Sequence, residues 1–160
     1  MRADVVVIGG GAVGISVAYF VRLLDPSAEV VVIERDPSYA HASTPRASGG
    51  VRRLFSVPEN IELSKFSIAF FDRFAETMAV GGVPPDIGLR KNGYLFIVPP
   101  AARDVLARNF RIQRELGCAV TWLEPGEVKH RYPSMFVDDL GGAVHSREDG
   151  WLDPHSVLIA

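Results

Sequence analysis

Three shortages narrow the field before any motif is read. The 160 residues hold one cysteine, Cys118, so no disulfide can form within the chain, and a reducing, cytoplasmic setting is expected. Four histidines, at 41, 130, 145 and 155, are scattered without the spacing of a metal site, and no metal is expected. Charge of either sign is also in short supply as an excess. With 17 Lys and Arg against 19 Asp and Glu, the formal net charge is -2, which gives no electrostatic case for nucleic acid or an anionic membrane as partner. Long apolar runs are missing too. The longest, Val5 to Val21, is interrupted by glycine and serine at five positions and falls short of the roughly 20 residues a spanning helix needs. Neither a membrane span nor a targeting segment is expected.

What remains is an ordinary globular composition, 48% hydrophobic and 22% charged, long enough for a real core. Its opening is not ordinary. "VVVIGGGAVGISVAYF", residues 5 to 20, sets three consecutive glycines between an apolar run and a helix-like stretch, although glycine weakens both. Ala3 to Ile8 reads as a parallel strand apolar on both faces. Ala12 to Leu24 reads as a helix stopped by Asp25-Pro26, and "EVVVIER", residues 29 to 35, as a second strand. Strand, turn, helix and strand in about 30 residues make a βαβ unit.

Gly9, Gly11 and Gly14 fit G-x-G-x-x-G. The first glycine permits the tight turn, the second lets backbone approach a pyrophosphate, and the third lets helix and strand pack closely. The helix then aims its free N–H groups and positive dipole end at phosphate. Glu34 follows Gly14 by 20 residues, at the end of the next strand, where a carboxylate accepts hydrogen bonds from a ribose and repels a 2′-phosphate. The pattern predicts the adenosine half of NAD or FAD and does not choose between them.

Residues 36 to 55, "DPSYAHASTPRASGGVRRLF", form a polar connection longer than a compact domain normally tolerates without a function. Ser56 and Glu59 read as a capping box for a helix running to about Met78, with Phe66, Phe70, Phe74 and Met78 as its buried stripe. "IGLRKNGYLFIV" reads as a hairpin turning at Asn92-Gly93. A helix from about Ala101 to Leu116 follows, with Val105, Ile112 and Leu116 on one face. Then come a strand "CAVTWL", a short helix from Glu124 to Arg131 and a strand "GGAVHS". These strands predict an antiparallel sheet, separate from the first parallel pair. Asp153-Pro154 reads as the start of a helix with only six residues left to run, as though the chain were truncated in mid-element.

The segment "ASTPRASGGVRRLFSVPENIELSKFS", placed after a βαβ unit, resembles the FAD-dependent oxidoreductases of the D-amino-acid oxidase, sarcosine oxidase and dimethylglycine dehydrogenase type. Within that group it is most similar to the branch of mitochondrial FAD-dependent oxidoreductase-domain proteins. "GYLFIV" and "EDGWLDPHSVL" also fall where the family has similar phrases. The resemblance implies an α/β fold: a Rossmann-like FAD-binding βαβ domain with a parallel sheet, and the start of an antiparallel substrate domain. In residue terms, 1–80 would be the FAD-binding part, 81–149 the start of the substrate domain, and 150–160 a return to the first.

It also implies roles. Gly9, Gly11, Ala12, Val13 and Gly14 would line the FAD pyrophosphate, and Glu34 with Arg35 the adenosine ribose. Ser43, Thr44, Arg46, Ser48 and Gly49 match the loop beside pyrophosphate, ribityl chain and flavin ring, and Arg52 matches an arginine lying against the ring. Arg53 reads as a surface charge and Cys118 as buried packing. Two departures matter. Phe55 stands where monomeric sarcosine oxidases carry an arginine for the substrate carboxylate. Arg46 stands where dimethylglycine dehydrogenases carry the flavin on a histidine, so FAD at this loop is expected to be non-covalent.

The implied activity is oxidation of an amine or amino-acid-like substrate by hydride transfer to FAD, with O₂ or an electron carrier as final acceptor. A flavin-binding assembly protein without turnover is the alternative from another class, and an NAD-linked dehydrogenase a weaker one. The 160-residue chain alone is expected to purify with little flavin and to oxidise no amine.

Overall fold

The computed structural model describes residues 2–160. In chain order its elements are β1 (Val5–Ile8), α1 (Ala12–Leu24), β2 (Val30–Ile33), β3 (Gly50–Val51), α2 (Pro58–Asp72), α3 (Phe74–Thr77) and β4 (Tyr94–Val98). They continue with α4 (Arg103–Glu115), β5 (Val120–Leu123), α5 (Pro125–Arg131), β6 (Gly142–Ser146), β7 (Gly150–Trp151) and α6 (Pro154–Ile159). The chain forms two compact units, one of residues up to Gly49 together with Asp153–Ala160, the other Gly50–Leu152.

The first unit is the βαβ unit. β1 and β2 pair in parallel, Val5 opposite Val30 through Ile8 opposite Ile33, and the Gly9 N–H extends the ladder to the Ile33 carbonyl at 2.8 Å. The helix ends where the sequence predicts. Asp25 Oδ1 accepts from both the backbone and the hydroxyl of Ser27, and the Arg22 guanidinium donates to the carbonyls of Pro26 and Ala28. β1 is not buried on both faces, however. Val6 and Ile8 are 54% and 87% exposed, and α1 has no buried residue. A parallel strand is covered on both faces only by helices on both sides, and among the described residues one crossover helix serves the pair. α6 begins at Asp153, whose carboxylate accepts from the His155 N–H and the Ser156 hydroxyl, and it packs against the turn at Thr44–Arg46.

The second unit has a closed core. β4, β6 and β5 form an antiparallel sheet in that order. Ala143 and Val144 are neighbours on β6 and so point to opposite faces, and they are 0% and 1% exposed. Val144 joins Ile61 of α2 and Leu106 of α4, while Ala143 joins Val128 of α5. Cys118 is buried in the first of these clusters, as packing predicts.

Five local expectations change here. Asn92-Gly93 turns no hairpin. β4 pairs with β6, while Arg90 bridges Trp151 and the Gly93 N–H reaches the Asp149 carbonyl at 2.9 Å. Gly93 is needed because φ is +87° and a Cβ would meet His145 Nε2 at 2.6 Å. Glycine served close approach rather than a turn. The helix after Ser56 has no capping box: Val57 is its N-cap, with no side-chain bond, and the run breaks at Arg73. Its buried positions are Ile61 and Ile68, with Phe74 following in α3, while Phe66 is 59% exposed. A repeat of four drifts about 40° per step around a helix, so Phe66 falls off the face that Ile61 and Ile68 hold at a seven-residue spacing, while Phe74 is buried as the sequence predicts. On α4, Leu106 and Gln113 are buried and Val105 is half exposed. Finally, Arg53 is no surface charge. Its backbone N–H and Nε donate to the fully buried Asp149 at 2.8 and 2.9 Å, and Nη1 donates to Glu148.

Candidate functional site

Gly9 leaves β1 with φ of +102°, a conformation that side chains resist. Three residues into the helix, a Cβ on Gly14 would stand 1.9 Å from the Gly9 carbonyl oxygen and 3.1 Å from Val7. Only glycine allows strand and helix this close. Gly11 is different. It is the N-cap of α1 with ordinary φ of -68°, and a Cβ there would meet only Thr44 Oγ1 at 3.5 Å. Its smallness leaves open space over the helix start.

The donors at that start are partly committed. The Ala12 N–H donates to Thr44 Oγ1 at 3.2 Å, which brings the polar connection over the first turn. The N–H groups of Val13 and Gly14 have no acceptor within the helix by position. On the other side of the turn, Gly10 donates its N–H to Glu34 Oε2 at 2.7 Å, and Asp36 donates to Oε1 at 2.9 Å. These two backbone bonds, Asp36 first, hold the Glu34 carboxyl below its ordinary range, so it stays ionised at neutral pH. Each oxygen keeps a lone pair for a further donor.

Beside this carboxylate lies a cleft of about 390 Å³, bounded by Gly9, Glu34, Arg35 and Ser43 among the residues singled out in the sequence. Tyr39 and His41 bound it as well, and sequence reasoning missed both. Tyr39 is the one non-glycine residue with positive φ (+55°) among the described residues, and its hydroxyl sits 3.0 Å from where a Gly10 Cβ would be. Nothing in its local sequence marked it beyond the turn at Asp36-Pro37-Ser38. Gly10, a variable position of the motif, is closely packed as well: a Cβ there would lie 3.2 Å from Glu34 Cβ.

The rest of the connection is less gathered. Arg46 turns back on its own loop, donating to the Ala40 carbonyl at 3.0 Å and lying 3.1 Å from His41 Nδ1. Ser48 is exposed, and Gly49 is buried with φ of +76°. In the second unit, the Arg52 guanidinium stacks over the rings of Phe55 and Tyr94, at 5.2 and 5.5 Å, and donates from Nη1 to the Tyr94 hydroxyl at 3.3 Å. Its Nε is buried without a partner, next to cavities of about 310 and 170 Å³.

The fit to a dinucleotide follows from these donors. A closely packed glycine turn, open N–H groups at a helix start and an ionised carboxylate some 20 residues on suit a diphosphate and a ribose. Among the described residues, no three His, Cys, Asp or Glu side chains come together as metal ligands, and no helix is long and apolar enough to cross a membrane.

Known proteins resemble this chain in sequence and in fold. Residues 4–160 match the family of FAD dependent oxidoreductases known as DAO. The chain is 38% identical over 164 residues to FAD-dependent oxidoreductase domain-containing protein 1 of Xenopus laevis, covering 99% of this chain and 33% of that protein. It is 32% identical to mitochondrial sarcosine dehydrogenase of Homo sapiens, covering 95% of this chain and 16% of that one. Among solved structures, L-proline dehydrogenase from P. horikoshii superposes with a TM-score of 0.79 at 27% identity, over 99% of this chain and 40% of that one. The chain thus spans about a third of the length of the curated relatives it matches most strongly. With the glycine turn, the tethered carboxylate and the antiparallel sheet all in place, the chain belongs to the DAO family of FAD-dependent oxidoreductases.

Proposed function

We propose that the protein is a flavoprotein oxidase or dehydrogenase acting on the C–N bond of an amine or amino-acid-like substrate. One observation carries the reading furthest: the Glu34 carboxylate, tied to the Gly10 N–H at 2.7 Å, stands beside an open cleft and a glycine turn that admits no side chain at Gly14. The relatives named for sarcosine and proline support the substrate class.

When bound, FAD would take a hydride from the carbon next to the substrate nitrogen and pass the electrons to O₂ or a carrier. The chain's own residues bind and orient it. Backbone at Gly9, Gly11, Ala12, Val13 and Gly14 receives the pyrophosphate, and Glu34 accepts from the ribose hydroxyls with Arg35 beside it. Ser43, Thr44, Arg46, Ser48 and Gly49 serve the pyrophosphate, ribityl chain and ring. Arg46 offers no attachment atom, so FAD is held here without a covalent bond. Arg52, held against the rings of Phe55 and Tyr94, would present a fixed cation that favours negative charge building on the flavin. Phe55 in place of a second arginine means that a substrate carboxylate, if there is one, is held elsewhere.

Anaerobic mixing of the FAD-loaded full-length protein with a panel of N-methyl amines and amino acids tests the reading. Bleaching of flavin absorbance by at least one of them is expected, slowed in Arg52→Ala. No bleaching across the panel would overturn the enzymatic reading.

A further inference from the structure

We propose that the second unit carries an anion site of its own, shaped for a small multivalent oxyanion of the phosphate type. A cavity of about 530 Å³ opens beside β5, where α4 and α5 end, and its wall brings together Arg114, Arg131, Arg147, His145 and Thr121 over Cys118. No carboxylate lines it. Elsewhere in this unit arginines find acids: Arg53 meets Asp149 and Glu148, Arg73 meets Glu76, and Arg103 meets Glu124. Among the described residues none of the three cavity arginines is in an ion pair. Arg114 lies over the Phe110 ring, and Arg131 Nη1 is 3.4 Å from His145 Nδ1.

Three guanidiniums gathered in one concavity without an acid repel one another and concentrate positive potential inside it. Their planar forks match phosphate oxygens two at a time, which an ammonium does not do. The floor does not cancel this charge. Burial pushes the Cys118 thiol up, so it stays neutral, and burial with the nearby Arg131 charge holds the His145 imidazole below its ordinary range. The volume lies within the span of small-ligand sites, ample for a pyrophosphate or a phosphate ester. All of these residues belong to the second unit, so the site stands or falls apart from the flavin reading.

Calorimetric titration of the purified protein with inorganic pyrophosphate, at ionic strength fixed with chloride, tests it. Saturable binding is expected, weakened tenfold or more in Arg131→Gln and in Arg147→Gln. It should be unchanged in Arg108→Gln, which alters an exposed arginine of α4 outside the cavity. The His145 ring resonances should shift as pyrophosphate is added. Binding at the glycine turn instead would be blind to both cavity variants and would overturn the proposal. So would an equal loss in Arg108→Gln, an unmoved His145, or binding of a duplex RNA where pyrophosphate does not bind.

Discussion

The two units spend their apolar residues differently. In the first, Ile8, Val13 and Leu24 are 87%, 81% and 85% exposed, and α1 buries nothing fully. In the second, Ile61, Val128 and Ala143 are 0% exposed and both faces of the sheet are covered. Yet the first unit holds the glycine turn, the ionised carboxylate and the 390 Å³ cleft. The contrast separates two uses of sequence. One unit is a stable body closed by side chains, the other a backbone cradle whose tight contacts are glycine on backbone and backbone on carboxylate.

The heaviest blow to the closed unit should come from its buried ion pair. Arg53 and Asp149 lie 96 residues apart and bind at two points, so they join the two ends of the second unit. Burial works against the Arg53 charge, but its bonds to Asp149 and Glu148 outweigh that and raise its pKa. Asp149→Ala leaves the guanidinium and the Arg53 N–H without their main acceptor, and should cost about 3–5 kcal/mol in denaturant unfolding. A cost under about 1 kcal/mol would mean that Glu148 alone suffices.

A matched pair of truncations probes how differently the two units bury isoleucine. Ile61→Ala should cost about 2–5 kcal/mol, as for a buried isoleucine. Ile8→Ala in the same 160-residue chain should stay within about 0.5 kcal/mol, as for an exposed position. Equal costs would show that the first unit has a core after all.

Acid should distinguish the units more gently. In the first, Asp25, Glu34, Asp36 and Asp153 are all lowered by hydrogen bonds in turns and caps. In the second, Glu124 is lowered to about 2, first by Arg103 and then by the Trp122 indole N–H at 2.8 Å. A folded pKa below the ordinary 4.5 contributes stability that is present above that value and lost as pH falls towards 2. Glu124→Gln should therefore lose less stability than wild type between pH 5 and 2, by urea midpoints. Parallel curves would remove Glu124 from the account.

How much was legible follows the same division. The βαβ unit was readable because its signals are local: three glycines at fixed spacing, a helix stopped at Asp25-Pro26, an acid after the second strand. α1 was read with its observed limits, Ala12–Leu24. In the second unit the strands were visible but their partners were not. Asn92-Gly93 announced positive φ, and the same φ serves a hairpin or a close approach to His145. Arg53 looked solvated because its acids lie about a hundred residues away, and no local window contains both. Tyr39 and Gly10 escaped for a similar reason, since Gly10 meets Tyr39 and Glu34 only once the chain has folded back on itself.

Glu34 and the glycine turn are proposed to receive the adenosine diphosphate half of FAD. ADP carries that ribose and diphosphate without the flavin ring, and the proposed contacts to it lie in the first unit. Calorimetric titration of ADP into the wild-type chain and into Glu34→Ala tests the claim directly. Saturable binding by the wild type is expected, weakened more than about tenfold in the variant, as loss of charged hydrogen bonds worth roughly 1.5–3 kcal/mol requires. Equal affinity in the two proteins, with the variant still folded, would contradict it.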